Sequence, residues 1–122
     1  MFEVIVKREF EASHALRDYR GSDEAVHSHR WLLEVRVSSP ATDGSGCAID
    51  FAEVDEALSR LLKPLAGVTL NDSPAFEGAS PSAENVARHL HSGLSSALNG
   101  GKRRVTRVSV WEDDMHAASY FI

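Results

Sequence analysis

The chain has 122 residues, 43% of them apolar and 25% charged, with a formal charge of -5, which fits a single globular domain over residues 1–122 with a modest core of its own. The acidic balance, with Lys102-Arg103-Arg104 as one short basic cluster, argues against nucleic acid or an anionic membrane as the main partner. No apolar run reaches the roughly 18 to 20 residues of a membrane-spanning helix, Met1-Phe2-Glu3-Val4 lacks a signal-peptide pattern, and Cys47 has no second cysteine to pair with; a cytoplasmic protein is expected.

In chain order, Met1 to Ser13 reads as a long strand. Phe2, Val4, Val6 and Phe10 share one parity, and Glu3, Lys7, Glu9 and Glu11 the other. The polar stretch Arg17 to Glu24, with Gly21-Ser22-Asp23, predicts a loop. A second strand is expected over about His27 to Ser38, ended by Pro40 to Gly46. Asp50 followed by Glu53 resembles a capping box, and Phe51, Val54, Leu58, Leu61, Leu62 and Leu65 keep the 3/4 spacing of an amphipathic helix. Pro64 and Gly67 close it. A second helix starts near Ser80-Pro81-Ser82, a cap hydroxyl with proline at the first helical position. Its apolar face is Val86, Leu90, Leu94, Ala97 and Leu98, and Asn99-Gly100-Gly101 stops it. Two last strands, about Arg104 to Glu112 and His116 to Ile122, meet at a tight Asp113-Asp114-Met115 turn.

The order β-β-α-α-β-β gives an α+β fold, a four-stranded antiparallel sheet with two helices on one face. Such a sheet keeps two open edges and one bare face, so a closed homo-oligomer is expected. The chemistry-bearing pattern is His27-Ser28-His29 together with His14. Alternate strand residues share a face, so His27 and His29 can aim at one ion while Ser28 points away. A third histidine from a neighbouring strand makes the three-ligand set of catalytic zinc, with a fourth position left for water or substrate.

Six motifs in register carry a resemblance over nearly the whole chain: Phe10-Glu11-Ala12-Ser13-His14, His27-Ser28-His29, Gly46-Cys47-Ala48-Ile49-Asp50-Phe51, Leu70-Asn71-Asp72, Pro81-Ser82-Ala83-Glu84-Asn85 and Trp111-Glu112. They resemble the 6-pyruvoyltetrahydropterin and 6-carboxytetrahydropterin synthases. The resemblance implies the tunnelling fold, trimeric barrels stacked as a hexamer, and a pterin site at subunit interfaces. It implies zinc on His14, His27 and His29, polarising the side-chain oxygens of dihydroneopterin triphosphate, and a pterin ring anchored by Glu112. Two carboxylate oxygens there accept from a ring N-H and the 2-amino group, a match that a guanine-like heterocycle also offers.

The chain departs from the family in three places. The family's glycine between the paired histidines is Ser28 here, which predicts an altered local backbone. The family's thiolate base, four residues before the paired histidines, falls on Asp23, and its Asp-His dyad falls on Ala66 and Gly67. General acid-base groups contribute roughly 10²- to 10⁴-fold each, so a pterin-binding homologue without the standard synthase reaction is expected. The alternative is a zinc-dependent lyase in which Glu24, resembling a carboxylate that replaces the cysteine in some variant members, or a relocated base near His116 takes over. A structural protein that kept the barrel and lost the ligand is a third reading. Among the remaining candidates, Cys47 is expected to be a small core residue, His89 and His91 to be surface residues, Asn71 and Asp72 to order a loop through an Asx turn, and Trp111 to pack on the opposite side from Glu112.

Overall fold

The computed structural model describes all 122 residues. Its elements are β1 (Phe2–His14), β2 (His27–Ser39), α1 (Phe51–Leu62), α2 (Ala83–Leu98), β3 (Arg104–Trp111) and β4 (Ala117–Phe121), in the expected β-β-α-α-β-β order. The strands form one sheet, β1-β2-β3-β4, with every neighbour antiparallel. Two short 3-10 turns, Leu70–Asp72 and Pro74–Phe76, structure the connection between the helices.

The alternation of each strand decides which face meets the helices. Val6, Phe10, Trp31, Leu33, Val35, Val108 and Val110 point inward and are buried against Val54, Leu58, Val86, Leu90 and Leu94 of the helices. Val105 and Val108 are three apart yet both buried. A bulge explains this, because Val37 pairs with Val105 and Arg36 with Arg107, leaving Thr106 as the extra residue. The other face is polar, with Arg36 paired to Glu34 at 2.7 Å and to Glu3 at 3.5 Å, and Arg30 near Glu9 and Glu11. Exposed pairs of this kind add little stability and serve mainly to keep a bare sheet face hydrated.

Helix starts differ from expectation in detail. The Asp50 carboxylate caps α1 by accepting from the Ala52 N-H at 2.9 Å, but Glu53 does not return the bond: it pairs with Arg103 at 2.9 Å instead. The second helix begins two residues later than expected, with Ser82 as its cap, accepting from the Asn85 N-H at 3.2 Å. Pro81 therefore stands outside the helix. Ala97, placed on the apolar face by spacing, is exposed, while Leu65 lies beyond α1 but is buried in the core.

Candidate functional site

Strand register builds the centre. His14 pairs directly with His27, and Ala12 with His29, so all three imidazoles emerge on the helix-facing side at one end of the sheet. Their ring centroids lie 4.6 to 5.0 Å apart, over the Trp31 ring, whose indole N-H is tied to the Ala12 carbonyl at 3.1 Å. Ser28 pairs with Ser13 within regular strand and has no positive φ. The altered backbone expected from serine at that position is not found.

Hydrogen bonds outside the cluster fix the ring orientations. The His14 Nδ1 faces the Pro81 carbonyl at 2.8 Å, and the His27 Nδ1 faces the Ala25 carbonyl at 2.9 Å. A carbonyl can only accept, so each Nδ1 carries a proton, and in the neutral ring each Nε2 then presents a lone pair. The Nε2 atoms of His14 and His29 are buried and have no hydrogen-bond partner. Burial, followed by repulsion from His14, pushes the His29 imidazole below its ordinary value, which keeps it neutral.

Buried lone pairs left unpaired are costly, and a cation is what three neutral imidazoles can satisfy. One ligating nitrogen from each lies within 4.8 Å of the others. Their common centre is then no more than about 2.8 Å from each, an upper bound that admits the 2.0 to 2.1 Å of a zinc-nitrogen bond. Carbonyls that accept from the other ring nitrogen of ligand histidines are the usual companion of such a centre. The residues present fit zinc.

Glu112 stands beside the cluster. It follows Val108 and Val110 on the inward parity, and its Oε1 is 3.7 Å from the His14 Nε2, too far for a hydrogen bond. It borders a cavity of about 280 Å³ together with Leu16, Ser82, His116 and Ala118. Trp111 faces the other way, into a depression on the bare face of the sheet. Glu24 stands beside the outer edge of the His27 ring: its Oε1 accepts from the Leu16 N-H at 3.1 Å and lies 3.7 Å from the His27 Nδ1. Asp23 does not reach the centre and accepts from the Asp18 N-H in the exposed loop. Ala66 and Gly67 run beside the end of β1, where the Gly67 N-H donates to the Glu11 carbonyl at 2.7 Å. Gly67 has φ +76°, a backbone state that favours glycine.

Four other expectations are corrected. Cys47 is exposed, because the turn around Asp43 holds it outside the core. His91 is buried, 3% exposed, since it follows Ala87 by four residues on the inward stripe of α2; its Nε2 has no partner. His89 is half-buried against Phe76. Asn71 makes no local Asx turn: its side chain accepts from the Ala15 N-H and donates to the Ala15 carbonyl, each at 2.8 Å, clamping the loop to the end of β1. Sequence reasoning missed Arg17. Its guanidinium donates to the carbonyls of Asn71, Phe76 and Ala79 and so organises the segment that leads to Pro81.

Sheet, helices and histidine centre together define an α+β protein with a candidate zinc site at one end of its sheet. The family model for 6-pyruvoyl tetrahydropterin synthase matches residues 3–121, and the chain belongs to that family. Among its relatives, the 6-carboxy-5,6,7,8-tetrahydropterin synthase of Rickettsia conorii is 23% identical over 111 residues, covering 74% of this chain and 78% of that protein. The 6-pyruvoyl tetrahydropterin synthase of Caenorhabditis elegans has the same fold, with a TM-score of 0.83 at 21% identity, over 100% of this chain and 97% of that one. A Plasmodium vivax 6-pyruvoyltetrahydropterin synthase, solved with a catalytic glutamate replaced by alanine, superposes with a TM-score of 0.72 at 16% identity, covering 98% of this chain and 96% of that one.

Proposed function

We propose that this protein binds a pterin or a related guanine-like heterocycle at Glu112, beside zinc held by His14, His27 and His29, and does not perform the standard synthase reaction. The observation that carries the reading is the Glu112 carboxylate on the rim of a cavity, 3.7 Å from a buried imidazole nitrogen that lacks a partner. Its two oxygens suit a ring N-H and an adjacent amino group. When bound, zinc would supply Lewis-acid polarisation of a ligand oxygen. The family's base and dyad positions hold Asp23, Ala66 and Gly67. Without those groups the proton transfers have lost their usual agents, and each is typically worth about 10²- to 10⁴-fold.

The open edges of β1 and β4 favour a homo-oligomer, which we take to be the hexamer of two stacked barrels, acting in the cytoplasm without nucleic-acid or membrane partners. No helix is long and apolar enough to cross a membrane. A second reading is an active lyase in which Glu24 is the base. Its support is the 3.7 Å approach of Glu24 to His27 and the catalytic glutamate of the Plasmodium vivax relative.

Calorimetric titration with neopterin tests the first reading. Binding that Glu112→Ala weakens at least tenfold is expected, and no binding, or binding indifferent to that change, refutes it. Incubation of zinc-loaded protein with dihydroneopterin triphosphate separates the readings: product formation abolished by Glu24→Gln favours the lyase.

A further inference from the structure

The segment Pro81-Ser82-Ala83-Glu84-Asn85 supplies none of the three clustered imidazoles, yet its first residue touches one of them. The Pro81 carbonyl accepts from the His14 Nδ1-H at 2.8 Å, a buried contact between residues 67 apart in sequence. No other hydrogen bond holds the His14 ring, because its Nε2 has no partner. The direction of the Pro81 carbonyl therefore sets the direction in which this ring points.

Three local restraints converge on Pro81, which is itself buried. Its ring fixes φ at about -65°. Ser82, the residue that follows, is held by the cap bond from the Asn85 N-H at 3.2 Å. Ser80, the residue that precedes, is held from two sides: its carbonyl accepts from the Asn85 side-chain N-H at 2.8 Å, and its hydroxyl accepts from the Arg17 backbone N-H at 2.6 Å. An ordinary helix start needs only the Ser82 bond. The Asn85 side chain satisfies no group of α2, since Ser80 lies two residues before the cap; it reaches back across the proline instead. We propose that Asn85 is a positioning residue for the metal centre, which by holding Ser80 keeps the Pro81 carbonyl on the His14 Nδ1-H and the His14 Nε2 free for the ion. This role rests on zinc at His14, His27 and His29. A ring released from its acceptor can turn, or move its proton to Nε2, and either change removes the lone pair from the place where the other two imidazoles present theirs.

The test is chelator competition for zinc at pH 8, above the ordinary imidazole value of about 6.5, under conditions where every variant is folded. Asn85→Ala should weaken zinc binding about tenfold, the lower end of what outer partners of ligand histidines contribute. Pro81→Ala, which keeps the carbonyl but frees φ, should also weaken it. The double variant should lose less than the product of the two single losses, because both changes act on one carbonyl. Arg8→Ala is the control for a mere loss of stability: Arg8 ties β1 to Ser59 and Asp55 of α1, and its removal should lower the urea midpoint and leave zinc affinity unchanged. In the metal-free protein the His14 Nδ1-H signal, followed by NMR, should broaden through exchange with water in Asn85→Ala and stay sharp in Arg8→Ala. Unchanged affinity in Asn85→Ala or in Pro81→Ala, or an equal loss in Arg8→Ala, overturns the proposal. If wild type and Asn85→Ala hold zinc equally, only the role of Asn85 falls; if wild type holds none, the metal reading falls and the role of Asn85 with it.

Discussion

Removing one ligand from the histidine centre gives the sharpest test of the metal site. His27→Ala is the suitable change, because this side chain is 38% exposed and its loss opens no core cavity, whereas His14 is buried and bonded to Pro81. A ligand that binds only the folded state stabilises it by about 2.7 kcal/mol when present at 100 times its dissociation constant. Unfolding entropies of about 2.1 cal/mol/K per residue give roughly 0.26 kcal/mol/K for 122 residues. Zinc should therefore raise the Tm of chelator-stripped protein by about 10 °C. Calorimetry of wild type and His27→Ala, at a zinc concentration set from a chelator competition, measures the effect. The variant should lose most of the shift, because two imidazoles bind far more weakly than three. The shift should also shrink as pH falls through the imidazole range, where protons compete for the same lone pairs. Equal shifts in both proteins, or none in wild type, would refute a three-histidine centre.

Two further outcomes concern stability. Arg17→Ala leaves the carbonyls of Asn71, Phe76 and Ala79 without their donor; the expected cost is about 2 to 3 kcal/mol, read as a lower urea midpoint, and an unchanged midpoint would show the clamp to be idle. His91 is held below its ordinary value of 6.5 by burial, with the Val105 backbone opposing. It is neutral when folded, while the unfolded chain takes up a proton below about 6.5, so its contribution is complete above that pH. Stability falls as pH drops below 6.5 toward the folded value, at up to about 1.4 kcal/mol per pH unit. His91→Phe should flatten that part of the pH dependence of the urea midpoint, and an identical slope in the variant would assign the titration elsewhere.

Element types and order were legible because the chain keeps its two periods cleanly. Val54, Leu58 and Leu62 in α1, and Val86, Leu90, Leu94 and Leu98 in α2, are buried as 3/4 spacing requires. His91 could have been found by the same rule, since it falls between Ala87, Leu90 and Leu94 on that stripe. Its polarity suggested a surface position that packing overrode. The roles of Asn71 and Arg17 had no local signal. Each acts on backbone more than fifty residues away in one direction or the other, and contacts of that range exist only once β1 and the helix connection have been brought together. Cys47 failed for the opposite reason: a local Asx-type turn at Asp43 holds it out, and the small apolar character of a free thiol did not make it a core residue.

Register ties the site to the fold more tightly than residue type does. His14 and His27 share a face only because they are paired directly across β1 and β2, and Glu112 joins them because Val110 pairs with Leu33, two residues from Trp31. A slip of one residue would send every side chain of the slipped strand to the opposite face. The inward set of Phe10, Trp31 and Leu33 would then meet water, so the core that stabilises the sheet also enforces the geometry of the centre. Serine at position 28 is tolerated for the same reason. It is exposed on the far face opposite Ser13, where a hydroxymethyl group meets solvent and places no demand on the strand that aims His27 and His29.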